Sequence, residues 1–110
     1  MAATFIGGAP VSLNGTTPVT VVAAPGVGHT RQVMALHCSN LGTSTRTMTV
    51  KKVTSGTPAA PYATVTLQAG ARGQLLLGPI TLGVNDSVTV EMDLPVATTN
   101  PIVDAAVFES

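Results

Sequence analysis

The chain has 110 residues, of which only 9% are Asp, Glu, Lys or Arg: five cations balanced by five acids, with two His and one Cys. Zero net charge and a pI near 6.7 leave too little positive charge to hold a phosphate backbone, and so few ionisable groups give little material for a tuned active site. Nucleic-acid binding and catalysis are disfavoured, and a part that packs and assembles is expected.

A chain of this length makes one domain that buries about two-thirds of its unfolded surface. With 45% hydrophobic residues and a mean hydropathy of +0.42, it is not a disordered, charged chain. Its aromatic residues are Phe5, Tyr62 and Phe108, so the core is expected from Val, Leu, Met and Ala or from neighbouring subunits. A neutral, sparsely charged surface lacks the self-repulsion that keeps monomers apart, which points to a homo-oligomer.

From the N-terminus, residues 1 to 18 hold Gly7, Gly8, Pro10, Gly15 and Pro18 around one short candidate strand, Val11 to Leu13. They are expected to form an extended arm on a neighbouring subunit, because Phe5 and Ile6 suit a contact better than a solvated tail. The boundary of the folded domain is placed at residue 19. No basic residue occurs between Met1 and Leu13, and no segment approaches the roughly 18 apolar residues of a membrane helix, so no membrane partner is expected.

About a third of the residues are Val, Ile or Thr, whose branched side chains favour strands. Val19 to Ala23 opens the series. Arg31 to Asn40 follows, with Met34, Leu36 and Cys38 on one face and Arg31, Val33, Ala35 and His37 on the other. Both faces are partly apolar, which predicts a central strand. Thr45 to Val53 alternates more cleanly, Met48 and Val50 against Thr45, Thr47, Thr49 and Lys51. Tyr62 to Leu67, Gln74 to Leu77, Ile80 to Leu82, Val88 to Asp93 and Ile102 to Glu109 complete the set. Turn clusters separate them at 25–28, 40–42, 55–58, 69–73 and 85–86. The pattern predicts an all-β fold, an antiparallel β-sandwich or jelly roll of about seven or eight strands, without a long helix.

Catalytic constellations fail on geometry. His37 and Cys38 are adjacent on a strand and face opposite sides, so Cys38 is expected as a small buried hydrophobe. Asp86, Glu91, Asp93 and Asp104 lack metal-ligand spacing, and Asn85-Asp86 reads as a turn. Gly70 to Gly73 is followed by neither a helix nor Lys-Ser/Thr, so it reads as a hairpin turn with an exposed Arg72. Arg31, Arg46, Lys51 and Lys52 read as a solvated face or, if they form a small basic patch on neighbouring strands at a subunit contact, as charges that meet the few acids and fix register. No cofactor, metal or catalytic residue is assigned; Phe5, Ile6, Arg31, Arg46, Lys51 and Arg72 are the candidate subunit contacts.

The succession Val22-Ala-Ala-Pro25, Gly28, Thr30-Arg31-Gln-Val33 and Leu36-His-Cys-Ser39-Asn40 resembles the opening of small β-sandwich proteins encoded among tailed-bacteriophage structural genes. Thr47-Met-Thr-Val50, Ala69-Gly70, Leu77-Gly78-Pro79-Ile80, Leu82 and Asn85-Asp86-Ser87-Val88 continue the likeness, over roughly residues 19 to 108. The resemblance implies an accessory virion component, made in the bacterial cytoplasm and carried in the particle. A capsid decoration or cement protein is the leading expectation, a homo-oligomer (trimer favoured) bound to the major capsid protein or another virion protein. A neck, tail or fibre component is the alternative. A carbohydrate-binding sandwich comes next, opposed by the lack of Trp and the single Tyr62.

Overall fold

The computed structural model describes residues 4–6, 10–55, 57–58, 63–93 and 101–110. Among them are eleven strands and no helix: β1 (Thr4–Phe5), β2 (Val11–Ser12), β3 (Val19–Val22), β4 (Arg31–Ser39), β5 (Arg46–Thr54), β6 (Thr57–Pro58), β7 (Ala63–Leu67), β8 (Gln74–Leu77), β9 (Ile80–Leu82), β10 (Asp86–Met92) and β11 (Ile102–Glu109). Every pairing between them is antiparallel.

Several of these strands are pieces of one lane. β1 and β2 both pair with β11, β8 and β9 both pair with β4, and β6 and β7 both pair with β5. The break between β8 and β9 falls at Gly78-Pro79, where proline removes a ladder donor. Merging the three pairs reduces eleven segments to eight lanes, which in chain order give a first sheet of lanes 1-8-3-6 and a second of lanes 2-7-4-5. That order is a jelly roll.

The two sheets enclose one apolar layer. β4 and β11 supply Val33, Leu36, Val103 and Val107, and β5 and β10 supply Met48, Val50, Val88 and Val90, all buried in one cluster. Among the described residues, no aromatic side chain belongs to this cluster. Medium-sized aliphatic side chains fill the roughly 10 Å between sheets, as the composition implied.

Alternation holds on β5, β7 and β10 as expected, but β4 departs from it. A bulge opposite Ala106 and Val107 pairs Ala35 and Val33 with consecutive residues of β11 and leaves Met34 as the extra residue. The expected grouping of Met34 with Leu36 and Cys38 is therefore corrected: Val33 turns inward with Leu36 and Cys38, and Met34 is exposed. A bulge changes which face each residue occupies, and strict period two cannot anticipate it.

The N-terminal stretch also differs from the expected arm. Phe5 pairs with Phe108, Val11 with Val103 and Ser12 with Ile102, all within one chain. The N–H of Ile6 donates to the carbonyl of Val107 at 2.9 Å, and Leu13 is buried in the core. Residues 4–6 and 11–13 thus form the edge lane of the first sheet. Gly7 and Gly8, Gly56 of the third turn cluster, and Tyr62 lie outside the described residues.

Candidate functional site

The inward residues close the core, so whatever the domain touches it meets through its two outer faces. On the second sheet the outward rows are largely threonine. Thr89 stands opposite Thr20 on β3 and Lys51 on β5, and Thr49 stands opposite Glu91 and Thr64. The hydroxyls of Thr47 and Thr66 hydrogen-bond at 3.0 Å. Lys51 Nζ lies 2.8 Å from Glu91 Oε1, an ion pair off the hydrogen-bonding direction, since that oxygen has no hydrogen-bond donor. One hydroxyl pair and one ion pair are thus closed within this face.

The first sheet presents a different surface. Phe5 (58% exposed) and Phe108 (36%) are register partners whose rings meet edge to face, with centroids 5.4 Å apart. Along the same outer face come Ala106 opposite Ala35, the bulged Met34 (39% exposed), and Leu75 (56%) opposite His37. Four of the six large hydrophobic side chains that are exposed among the described residues thus share one sheet face. Single exposed apolar residues are ordinary on any surface; a contiguous group marks a contact site. Asp104 and His37, a register pair near its middle, are both exposed. The Phe5 and Phe108 rings are inclined by 62° and do not make one flat platform on which a sugar ring would stack.

Arg31 does not share a patch with the lysines. β4 belongs to the first sheet and β5 to the second, so Arg31 is separated from Lys51 and Lys52. Instead, Arg31 Nε donates to Glu109 Oε1 at 2.9 Å and its Nη1 to the carbonyl of Ala23 at 2.8 Å. Lys52 Nζ lies 3.7 Å from Asp86 Oδ2. Arg46 and Arg72 have no acidic partner among the described residues. Arg72 is exposed as expected, but its loop is not a hairpin turn, because it carries the chain from β7 in the second sheet to β8 in the first. Of the candidate contacts, only Phe5 lies on the apolar face; Ile6 packs against the core and lines a cleft of about 110 Å³ beside β3 and Arg31. That cleft is smaller than the ~300 Å³ at which small-molecule sites begin. A wider, shallow depression of about 320 Å³ lies over the β7–β8 loop and has no charged residue in its lining.

Cys38 is buried on the inner face of β4, and burial, then the charge of Asp104, pushes its thiol up to about 12. A thiol held that high carries no thiolate at neutral pH and is a poor nucleophile. The acids do not converge. Asp86 accepts from the Gly83 N–H and the Thr54 hydroxyl, Asp93 accepts from the Thr47 N–H, and Asp104 lies on the other sheet. Among the described residues no three His, Cys, Asp or Glu side chains are grouped to hold a metal ion.

Composition and spacing gave no warning of Asn40. Fully buried at the end of β4, its Nδ2 donates to the carbonyls of Ser44, Leu67 and Gln68 at 2.9–3.2 Å, and its Oδ1 accepts the Gly42 N–H. Its own N–H donates to Ala71 O, and its carbonyl accepts the N–H of Gly70, a residue at φ +76°. One side chain thereby ties a loop of the first sheet to the crossover that leaves the second. Its place in the Asn40-Leu41-Gly42 turn cluster is the one local signal, since Asn side chains bond to nearby backbone.

No protein-family model and no curated protein matches the chain. A solved chain from Bacillus endospore appendages, described as a novel family of disulfide-linked pili, superposes with a TM-score of 0.49 at 13% identity, over 99% of this chain and 89% of that one. That overlap is too loose to transfer a role.

Proposed function

We propose that this domain is a structural assembly subunit and, more finely, an accessory virion protein of the decoration or cement kind. The observation that carries the reading is the apolar outer face of the first sheet, where both described aromatic residues, Phe5 and Phe108, stand exposed beside Met34 and Leu75. A face of this kind is stable in water when a partner covers it. Three of the five cations are paired with acids of the same chain, so few charges remain to be desolvated when surfaces meet. Repetition over a shell would let modest contacts add through avidity. The jelly roll itself hosts many roles and supplies only analogy.

Location and copy number test the proposal. Quantitative mass spectrometry of purified particles from the producing culture, with immunogold labelling, should find the protein in many copies over the head. A few copies at one vertex or on the tail would favour the neck, tail or fibre reading. Absence from particles, or turnover of a substrate by the purified protein, would overturn the proposal.

A further inference from the structure

The register of β4 and β11 gives the apolar face a property beyond exposure: it is complementary to itself. These two strands are the central lanes of the first sheet. Their outward residues pair as Phe108 with Gln32, Ala106 with Ala35, and Asp104 with His37. A two-fold axis along the strands between β4 and β11 would lay each strand over the other's counterpart in a second copy. Asp104 would meet His37 of the second copy, and the reverse pair would form at once. Ala106 would meet Ala35 of the second copy, small against small, allowing the close approach of about 10 Å that stacked sheets adopt. Phe108 would cover Gln32 of the second copy.

We infer that the outer face of the first sheet is the docking site for a second copy of this chain, paired across that two-fold axis. The inference deepens the assembly reading by naming a partner for the face, and rests on it. Hydrogen-bond complementarity selects this occupant, a carboxylate acceptor facing an imidazole N–H donor. Asp104 and His37 are both exposed and, although opposite one another in register, form no ion pair among the described residues, so each presents its head to the other copy. Zero net charge removes the repulsion between identical chains. Such a contact is isologous, each residue pair occurring twice. Four lanes at about 4.8 Å give a face about 19 Å wide, which is small for a permanent dimer and suits a weak, reversible contact.

Sedimentation velocity of the full chain at pH 7, from about 1 to 300 µM, spans the affinities expected of a contact this size. The wild type should pass from monomer to dimer in this range. Phe108→Glu should stay monomeric throughout. His37→Asp, which sets acid against acid, should weaken association by about tenfold or more. The double variant His37→Asp/Asp104→His should recover to within about threefold of wild type, a rescue that a merely destabilised fold would not show. Thr49→Glu, on the opposite face, should dimerise as wild type does. Thermal melts of each variant establish that it is folded. A wild type that stays monomeric, association unchanged in Phe108→Glu, or failure of the double variant to recover would overturn the pairing. None of these results bears on whether the protein is found on particles, which tests the assembly reading separately.

Discussion

The two outer faces of this sandwich are built on the same scaffold and end in opposite chemistry. On the second sheet, threonines stand on four lanes, one pair of them hydrogen-bonded, and the one ion pair in their midst is internal. On the first, two phenylalanines, a methionine and a leucine point into solvent around an Asp-His register pair with no internal bond. The inward rows of both sheets are interchangeable aliphatic residues. Inward positions therefore determine that a sandwich forms, and outward positions determine what it meets.

The sharpest way to break the comparison is to cut the tie that makes the faces parts of one body. Asn40→Ala would leave the carbonyls of Ser44, Leu67 and Gln68 and the N–H of Gly42 without the partners they now have. Each buried group left unsatisfied costs about 1–3 kcal/mol. A loss of about 3 kcal/mol or more is expected in urea unfolding, with both sheets melting in one transition. Two separated transitions, or a loss below about 1 kcal/mol, would show that the sheets do not depend on this residue.

Next in size is the N-terminal lane. Leu13 is buried among core residues, so Leu13→Ala should cost about 2–4 kcal/mol. Deleting the lane should uncover the edge of β11 and unfold much of the first sheet. A truncated domain that melts like the full chain would restore the picture of a separable arm.

Much of this fold was legible because β-branched residues and turn clusters alternate regularly: the strands expected from residue 19 onward fall in seven of the eight lanes, 74–77 and 80–82 sharing one, and the remaining lane is the N-terminal stretch expected as an arm. What was hidden depends on events that no local pattern encodes. The bulge at Met34 exists because β11 lacks a matching residue, a fact about the partner strand. Phe5 and Phe108 lie 103 residues apart in sequence and meet only through the pairing of β1 with β11. Arg31 was read with the lysines of the next strand, but in a jelly roll the next strand belongs to the other sheet. Burial of Cys38 was legible from its type and position; the inward turn of Asn40 was not, since Asn is ordinarily a surface residue.

Smaller substitutions sharpen the contrast between the faces without unfolding either. Thr47→Val and Thr66→Val each remove one partner of a hydroxyl pair at the surface. Each should shift stability by less than about 1 kcal/mol, and a double-mutant cycle should give a coupling of about 0.2–1 kcal/mol. Phe108→Ser removes a half-exposed ring and part of its edge-to-face contact with Phe5, at a cost of about 1 kcal/mol. Thr variants should leave association unchanged, whereas Phe108→Ser should reduce it. The opposite result would exchange the roles of the two faces.

The smallest expected effect concerns acid, and it belongs to the second sheet. The Gly83 N–H, bonded to Asp86 Oδ2 at 3.0 Å, and the Thr54 hydroxyl, bonded to Oδ1 at 2.8 Å, hold the Asp86 carboxyl below its ordinary value of 3.8, with a lesser contribution from Lys52. Because the folded state favours the ionised form, the unfolded chain takes up the proton first as pH falls. The stabilisation is therefore complete above the unfolded value of 3.8 and is lost as pH drops through the lower folded value. Asp86→Asn abolishes this dependence at the position, so wild type and variant should differ in melting temperature at pH 6 and converge as the pH falls below the folded value. The difference should stay below about 1 kcal/mol, the scale of exposed ion pairs. A gap that widens in acid would reverse the sign and show that Asp86 is better held when protonated. A constant gap would instead assign the effect to the shape of the Gly83–Asp86 turn and leave the carboxyl's charge with no part in it.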